Sequence, residues 1–187
     1  LNCAVCLEKE CARGKDCLGN GENIKKLYQE GEVSLIKAAA QVEARYYMKK
    51  TRLEETIIFA QKMNYKKIGL AFCVGLADEA QAIYELFREH FQVYTVCCKI
   101  CGIDKDEFQL EKIDTGGGEA MCNPLGQAAF LNQKKTDLNV IIGLCIGHDI
   151  LFSEHSNAPV TTLAVKDRVL AHNPLGAIYS HYYQDKK

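Results

Sequence analysis

No charge of one sign dominates the chain: 23 basic and 24 acidic residues leave a net charge of -1 over 187 residues. Without a basic stripe to neutralise phosphates, nucleic acid is not an expected partner. Long apolar runs are also missing. The longest, Ile68 to Ala77, is too short to cross a bilayer, and the amino terminus has no basic, apolar, small-residue signal pattern. The expectation is a cytoplasmic protein with no membrane contact. G-x-S-x-G, H-E-x-x-H and paired-carboxylate patterns are absent, which removes the usual starting points for hydrolysis. Gly116-Gly117-Gly118 lacks dinucleotide spacing and a P-loop lysine, so it is a poor nucleotide signal.

Cysteine, by contrast, is plentiful. Ten of them, in an intracellular chain long enough to bury a core without covalent staples, point to metal or redox chemistry rather than a disulfide framework. Three apolar runs each deliver cysteine to one end: KIGLAFC at Cys73, VYTVCC at Cys97 and Cys98, and NVIIGLC at Cys145. If these are parallel strands, their carboxyl ends line the crevice where open sheets bind ligands. Side chains alternate along a strand, so only one of Cys97 and Cys98 is expected to face a shared site. Read one at a time, Cys73, Cys97 and Cys145 are equally well explained as small buried hydrophobes.

Cys98-x2-Cys101 and Cys145-x2-His148 have metal-ligand spacing, and thiolate with imidazole suits zinc, iron or copper(I). Cys73 and Cys122 complete this second candidate metal set. Cys122 and His172 each precede Asn-Pro-Leu-Gly, a helix start with Asn as cap and Pro in the first helical position. Thiolates are favoured beside helix N-termini, which makes Cys122 and Cys145 the candidate catalytic nucleophiles. His90, His155 and His181 read as surface residues. Lys166-Asp167-Arg168 reads as a solvated loop after the last strand, with the capacity to bind an acidic substrate or balance cluster charge.

Residues 1–21 are polar, cysteine-rich and without helical or strand period. Their spacing, Cys3-x2-Cys6-x4-Cys11-x5-Cys17, contains one C-x2-C pair, where zinc knuckles usually have two. A short loop wrapping four thiolates suits a cubane [4Fe–4S] cluster, with a zinc staple as the alternative. From Cys3 to Cys17 the spacing resembles the amino-terminal cluster loops of hybrid-cluster (prismane) proteins and carbon monoxide dehydrogenases, which also begin C-x2-C.

Helical period follows over Glu22–Glu30, with Gly31 as its expected C-cap, and over Val33–Met48, with Val33, Ile36, Ala40, Ala44 and Tyr47 on one face. Thr51-Arg-Leu-Glu54 is a capping box for a helix that Asn64 stops. Strand and helix then alternate: strands at Ile68–Cys73, Gln92–Cys98, the run from Asn139 and Val160–Val165, with a helix carrying Leu76, Ala80, Ile83, Tyr84 and Phe87 after the first. Alternation implies a three-layer α/β fold, a mostly parallel sheet of about four strands with helices on both faces. The cysteine loop, residues 1–21, stands apart from a single α/β domain over residues 22–187.

LCIGHDILF and APVTTLAVKDRVLAHNPLGAIY, with the cysteine-rich start, are similar to a prokaryotic domain-of-unknown-function family, number 1847, described as uncharacterised metal-binding proteins. That resemblance implies metal binding and carries no reaction. The function expected is therefore metal binding, iron-sulfur in kind, with a second cysteine-lined redox or sulfur-transfer site at the strand ends. The rivals are a non-catalytic zinc or copper(I) carrier or sensor, and a thiol enzyme with a cysteine nucleophile. The partner is a small-molecule substrate or a redox protein, and Tyr46, Tyr47, Tyr179, Tyr182 and Tyr183 leave room for a homodimer face.

Overall fold

In the computed structural model, which describes residues 2–184, the amino-terminal segment is organised by Asp16. Its carboxylate accepts the N–H groups of Leu18 at 3.1 Å, Gly19 at 2.8 Å and Gly21 at 2.8 Å. The bonds from Gly21 and Gly19 hold its pKa below the usual carboxylate value. No residue from 2 to 32 is buried, so the turn stands on hydrogen bonds alone. Short helical turns at Cys3–Val5 and Glu10–Arg13 precede α1 (Gly21–Lys25) and α2 (Glu30–Tyr46).

Two expectations for this region are corrected. Gly31 does not cap the first helix but lies inside α2, because Gln29 and Glu32 form a capping box that starts α2 at Glu30. The buried stripe of α2 is Ala38 and Val42, while Ile36 and Tyr47 are exposed. An alanine-rich helix offers apolar residues at helical spacing on more than one face, so period alone did not select the stripe. These elements form one compact unit, Leu1–Tyr47, and Met48–Lys187 form another.

The second unit begins with α3 (Arg52–Lys62), capped by Thr51, whose hydroxyl accepts the Glu54 N–H while the Glu54 carboxylate accepts the Thr51 N–H. Asn64 follows in a left-handed conformation, φ 56°, and ends the helix as expected. Then come β1 (Lys67–Phe72), α4 (Ala77–Arg88), β2 (Gln92–Cys97), α5 (Pro124–Lys134), β3 (Leu138–Ile142), α6 (His148–His155) and β4 (Val160–Ala164). All strand pairs are parallel and the order is β2-β1-β3-β4. Every residue of β3 is buried, as a central strand covered on both faces requires.

Alternation along β1 builds both cores. Ile68 and Leu70 pack with Ala60 of α3 and with Leu76, Ala80 and Phe87 of the α4 segment. Ala71 and Cys73 belong to the opposite cluster, with Ala128 and Leu131 of α5 and Phe152 of α6. Helices thus cover both faces of the sheet, the three-layer α/β arrangement expected. The α4 face read from the sequence is the one buried. No helix among the described residues is long and apolar enough to cross a membrane.

Strand order places the reversal point between β1 and β3. The chain leaves β1 towards β2 on one side and returns to β3 on the other, opening a crevice at the carboxyl ends of these two strands. Cys73 lies at this point, its N–H donating to Ile142 O at 3.1 Å. Strand β3 ends at Ile142 rather than running to Cys145, because Gly143 turns the chain at φ 67°. A Cβ on Gly143 would sit 2.0 Å from Leu76 Cδ1. Gly143→Ala is expected to destabilise the fold by roughly 1–2 kcal/mol for the left-handed backbone and about 1–3 kcal/mol for the overpacking. Urea unfolding of the variant checks this.

The expected helix start at His172-Asn173-Pro174-Leu175-Gly176 is met by a short helix, α7 (Gly176–Tyr179), entered through the Gly176 N–H bond to Asn173 O at 2.9 Å, though the Asn173 side chain does not cap it. A further turn of helix, α8 (His181–Gln184), follows.

Candidate functional site

Cys98 and Cys122 are brought together by backbone pairing. The Cys98 N–H donates to Phe72 O at 2.9 Å, and its carbonyl accepts the Asn123 N–H at 2.7 Å. Asn123 is in turn the N-cap of α5, its Oδ1 accepting the Gly126 N–H at 2.8 Å, with Pro124 in the first turn. A strand end and a helix start, both legible in the sequence, therefore fix the two sulfurs side by side. Beneath them the fully buried Gln127 donates through Nε2 to Val96 O at 2.9 Å and Phe72 O at 3.2 Å. That side chain ties α5 to the ends of β1 and β2.

The residues between the two cysteines form a loop closed by ion pairs. Lys105 meets Glu119 at 2.9 Å, Lys112 meets Asp106 at 2.6 Å, and the Met121 N–H donates to Ile103 O at 2.8 Å. This closure returns Ala120 to Lys99, whose Nζ donates to Ala120 O at 2.5 Å. The Lys99 ammonium is thereby held where its charge acts on Cys122.

The electrostatics of the pair are unequal. Cys98 donates its S–H to Cys122, and this bond with burial pushes the Cys98 thiol well above its ordinary range. The same bond pulls Cys122 down to about 5, helped by the charges of Lys99 and His148 and opposed by burial. Cys98 Sγ also accepts the Val74 N–H at 3.3 Å. A chain of donors thus runs from Val74 through Cys98 into a Cys122 thiolate.

Cys122, with a lowered pKa, adds stability that is fully present above the ordinary thiol range and lost as pH falls through about 5. Cys98, with a raised one, adds stability that is lost only when pH climbs above that range. The reduced protein should therefore gain stability from about pH 5 towards about pH 8.5, relative to a Cys98→Ala/Cys122→Ala variant. Denaturant midpoints across that window check the sign.

Other predicted site residues gather nearby. Cys73 is 6% exposed and acts electrostatically on both Cys98 and Arg168. Cys145 is half-buried between β3 and α6, its carbonyl accepting the His148 N–H at 2.9 Å. Arg168 Nη2 donates to Cys145 Sγ at 3.1 Å, which strengthens the guanidinium's hold on its proton. The loop bearing Arg168 is closed by His172, whose Nδ1 accepts the Asp167 N–H at 3.1 Å and whose N–H donates to Asp167 O at 2.9 Å. His172 thus has a structural task, and the segment read as solvated contacts the crevice.

Not every candidate joins the group. Cys97 is half-buried, its sulfur accepting the Lys99 N–H at 3.5 Å, so Cys98 is the one of the two that faces Cys122. Cys101 is exposed at φ 71°, whereas Cys98 is 3% exposed, so the two do not form an accessible pair. Cys3, Cys6, Cys11 and Cys17 are all exposed and free. Among the described residues no three His, Cys, Asp or Glu side chains are placed to hold a metal ion. Lys99 and Gln127 are the site residues that pattern reading did not single out, whereas Lys166 was read as part of a solvated loop able to bind an acidic substrate. For Lys99 the one available signal was adjacency to Cys98.

A family described as "Protein of unknown function (DUF1847)" matches residues 14–163. "Uncharacterized protein MJ0455" of Methanocaldococcus jannaschii is 54% identical over 188 residues, covering 100% of this chain and 97% of that protein. The chain belongs to the DUF1847 family. No solved structure matches it. The family match spans Cys17, the Cys98–Cys122 pair, Cys73, Cys145 and His148, while Cys3, Cys6, Cys11 and Arg168 lie outside it.

Proposed function

We propose that the protein performs thiol-dependent redox or sulfur-transfer chemistry in the strand-end crevice, with Cys122 as the attacking sulfur and Cys98 as its resolving partner. What supports this is the placing of Cys122 against Cys98 by the Asn123 N–H bond to Cys98 O at 2.7 Å, with the charges of Lys99 and His148 acting on Cys122. This arrangement keeps one sulfur a thiolate and its neighbour a thiol, the two forms a resolving step requires. The Cys122 thiolate attacks one sulfur of a substrate disulfide, a mixed disulfide forms and the other sulfur leaves with the bonding pair. Cys98 then attacks Cys122 Sγ, its proton passing to the second departing sulfur. The substrate gains two electrons and the protein is left with a Cys98–Cys122 disulfide.

Reduced protein treated with a small disulfide should yield the Cys98–Cys122 bond in peptide mass spectra. Cys98→Ser should stall with the substrate half attached to Cys122. Disulfides formed only among other cysteines, with this pair still reduced, would end the reading.

A second reading concerns the amino-terminal cysteines. Four exposed free thiols lie on a segment with no buried residue to hold it, which favours an iron-sulfur cluster there, with zinc as the alternative. As placed, the four do not fit one centre, so binding would require the loop around Asp16 to refold. Metal analysis of anaerobically purified protein tests it: iron with sulfide, and a brown colour, supports the cluster. Stoichiometric zinc replaces it, and metal-free protein overturns both.

A further inference from the structure

At the reversal point of the sheet one lysine passes close to two glycines. The Lys166 Nζ lies 3.3 Å from where a Cβ on Gly75 would be, and its Cδ lies 3.7 Å from the corresponding position on Gly143. Gly75 follows β1 and Gly143 follows β3, so the Lys166 stem crosses between the two strand exits. Side chains at either glycine would crowd that path.

Lys166 is half-buried, and among the described residues its ammonium has neither a hydrogen bond nor an ion pair. A cation without a partner at a strand-end crevice is a ready contact for an anionic group. The acid next to it in sequence, Asp167, is already engaged, accepting the Val169 N–H at 2.9 Å and the Leu170 N–H at 2.8 Å.

Further positive charge belongs to the same crevice. Arg168, two residues on, donates to Cys145 and feels the charges of Cys73 and Cys122, while Lys99 and His148 act on Cys122. Lys99, Lys166 and Arg168 thus bring three cationic side chains to one crevice, and Asp167, the acid beside them, is turned to its own loop, an arrangement that favours an anionic ligand.

We propose that the substrate of this site is a small compound with a negatively charged group, carboxylate or sulfonate, next to an S–S bond, and that Lys166 binds the charged group at the β1–β3 exit. The inference rests on Cys122 being the attacking sulfur and adds the class of molecule it attacks. With the anion on Lys166, Cys122 Sγ forms a bond to one sulfur and the original S–S bond breaks. The distal sulfur leaves with the electron pair as an anion, a thiolate from an organic disulfide or sulfite from thiosulfate.

The test compares two alkylating agents of nearly equal size, iodoacetamide and the anion iodoacetate, reading Cys122 modification by peptide mass spectrometry. In low salt, the iodoacetate-to-iodoacetamide rate ratio at Cys122 should exceed that of free cysteine by about tenfold, and should fall as salt is added. Lys166→Gln should lower the ratio severalfold and Lys166→Arg should restore it, and a ratio unchanged in Lys166→Gln overturns the assignment to Lys166. Sulfate competition on the unmodified sequence gives the same reading should the variants not fold.

A ratio equal to that of free cysteine, with iodoacetamide still choosing Cys122, overturns the anion site and leaves the thiol reading intact. Iodoacetamide bypassing Cys122 altogether overturns both. Thiosulfate and dithiodiglycolate, each given to Cys98→Ser so that the adduct is not resolved, then separate the two sources: a persulfide on Cys122 identifies the inorganic anion, and a mixed disulfide the organic one. Reaction with neither overturns the proposal.

Discussion

At about pH 6, iodoacetamide is expected to alkylate Cys122 about tenfold faster than it alkylates free cysteine in the same solution. At that pH a thiol titrating at about 5 is roughly nine-tenths thiolate, whereas an ordinary one is roughly 0.3% thiolate. Lower basicity makes the Cys122 thiolate intrinsically weaker by about 30- to 40-fold, which consumes most of the population advantage. By about pH 8 the ordinary thiol is roughly a quarter ionised, and the order reverses with Cys122 about tenfold slower. The crossing of the two rate profiles is the signature. A Cys122 that merely gains reactivity with pH in step with free cysteine contradicts the assignment.

Cys98→Ala carries the second large effect, because it deletes the hydrogen bond that most lowers the Cys122 pKa. Lys99 and His148 remain, but the principal donor is gone, and the Cys122 titration should move up towards the ordinary thiol range. Its alkylation rate at about pH 6 should then fall by up to about tenfold, the reverse of the advantage above. Cys98→Ser keeps a hydroxyl that can donate in place of the thiol, so it should retain part of the acceleration. Equal profiles for the alanine and serine variants would show that donation from position 98 is not what matters.

The parts of this site that were legible in the sequence are those set by short-range rules. Buried parallel strands read as near-continuous apolar runs, so the ends of β1 and β2 and their cysteines could be placed from composition alone. Asn123-Pro124 announced a helix start and formed one. The same dipeptide at Asn173-Pro174 led only to the single turn of α7, because neighbouring backbone decides. Asn123 has its N–H engaged by Cys98 O, whereas Asn173 follows two left-handed residues.

What stayed hidden depends on long-range closure and on side-chain reach. Cys98 meets Cys122 only because the ion-paired loop from Lys99 to Met121 folds back on itself. Alternating charges along that loop carried no periodicity to announce it. Lys166 reaches the β1–β3 exit across Gly75 and Gly143, three positions from separate segments whose proximity follows from strand order. In α2 the choice between Ala38 and Val42 and the rival stripe through Ile36 and Ala40 likewise lay outside local pattern.

Ultraviolet titration of thiolate absorbance in the fully reduced protein, beside Cys122→Ser, decides whether Cys122 ionises early. One thiolate is expected at about pH 5 in the unmodified sequence and none there in the variant. A thiolate signal that begins only in the ordinary cysteine range, with the two proteins alike below it, would contradict that early ionisation.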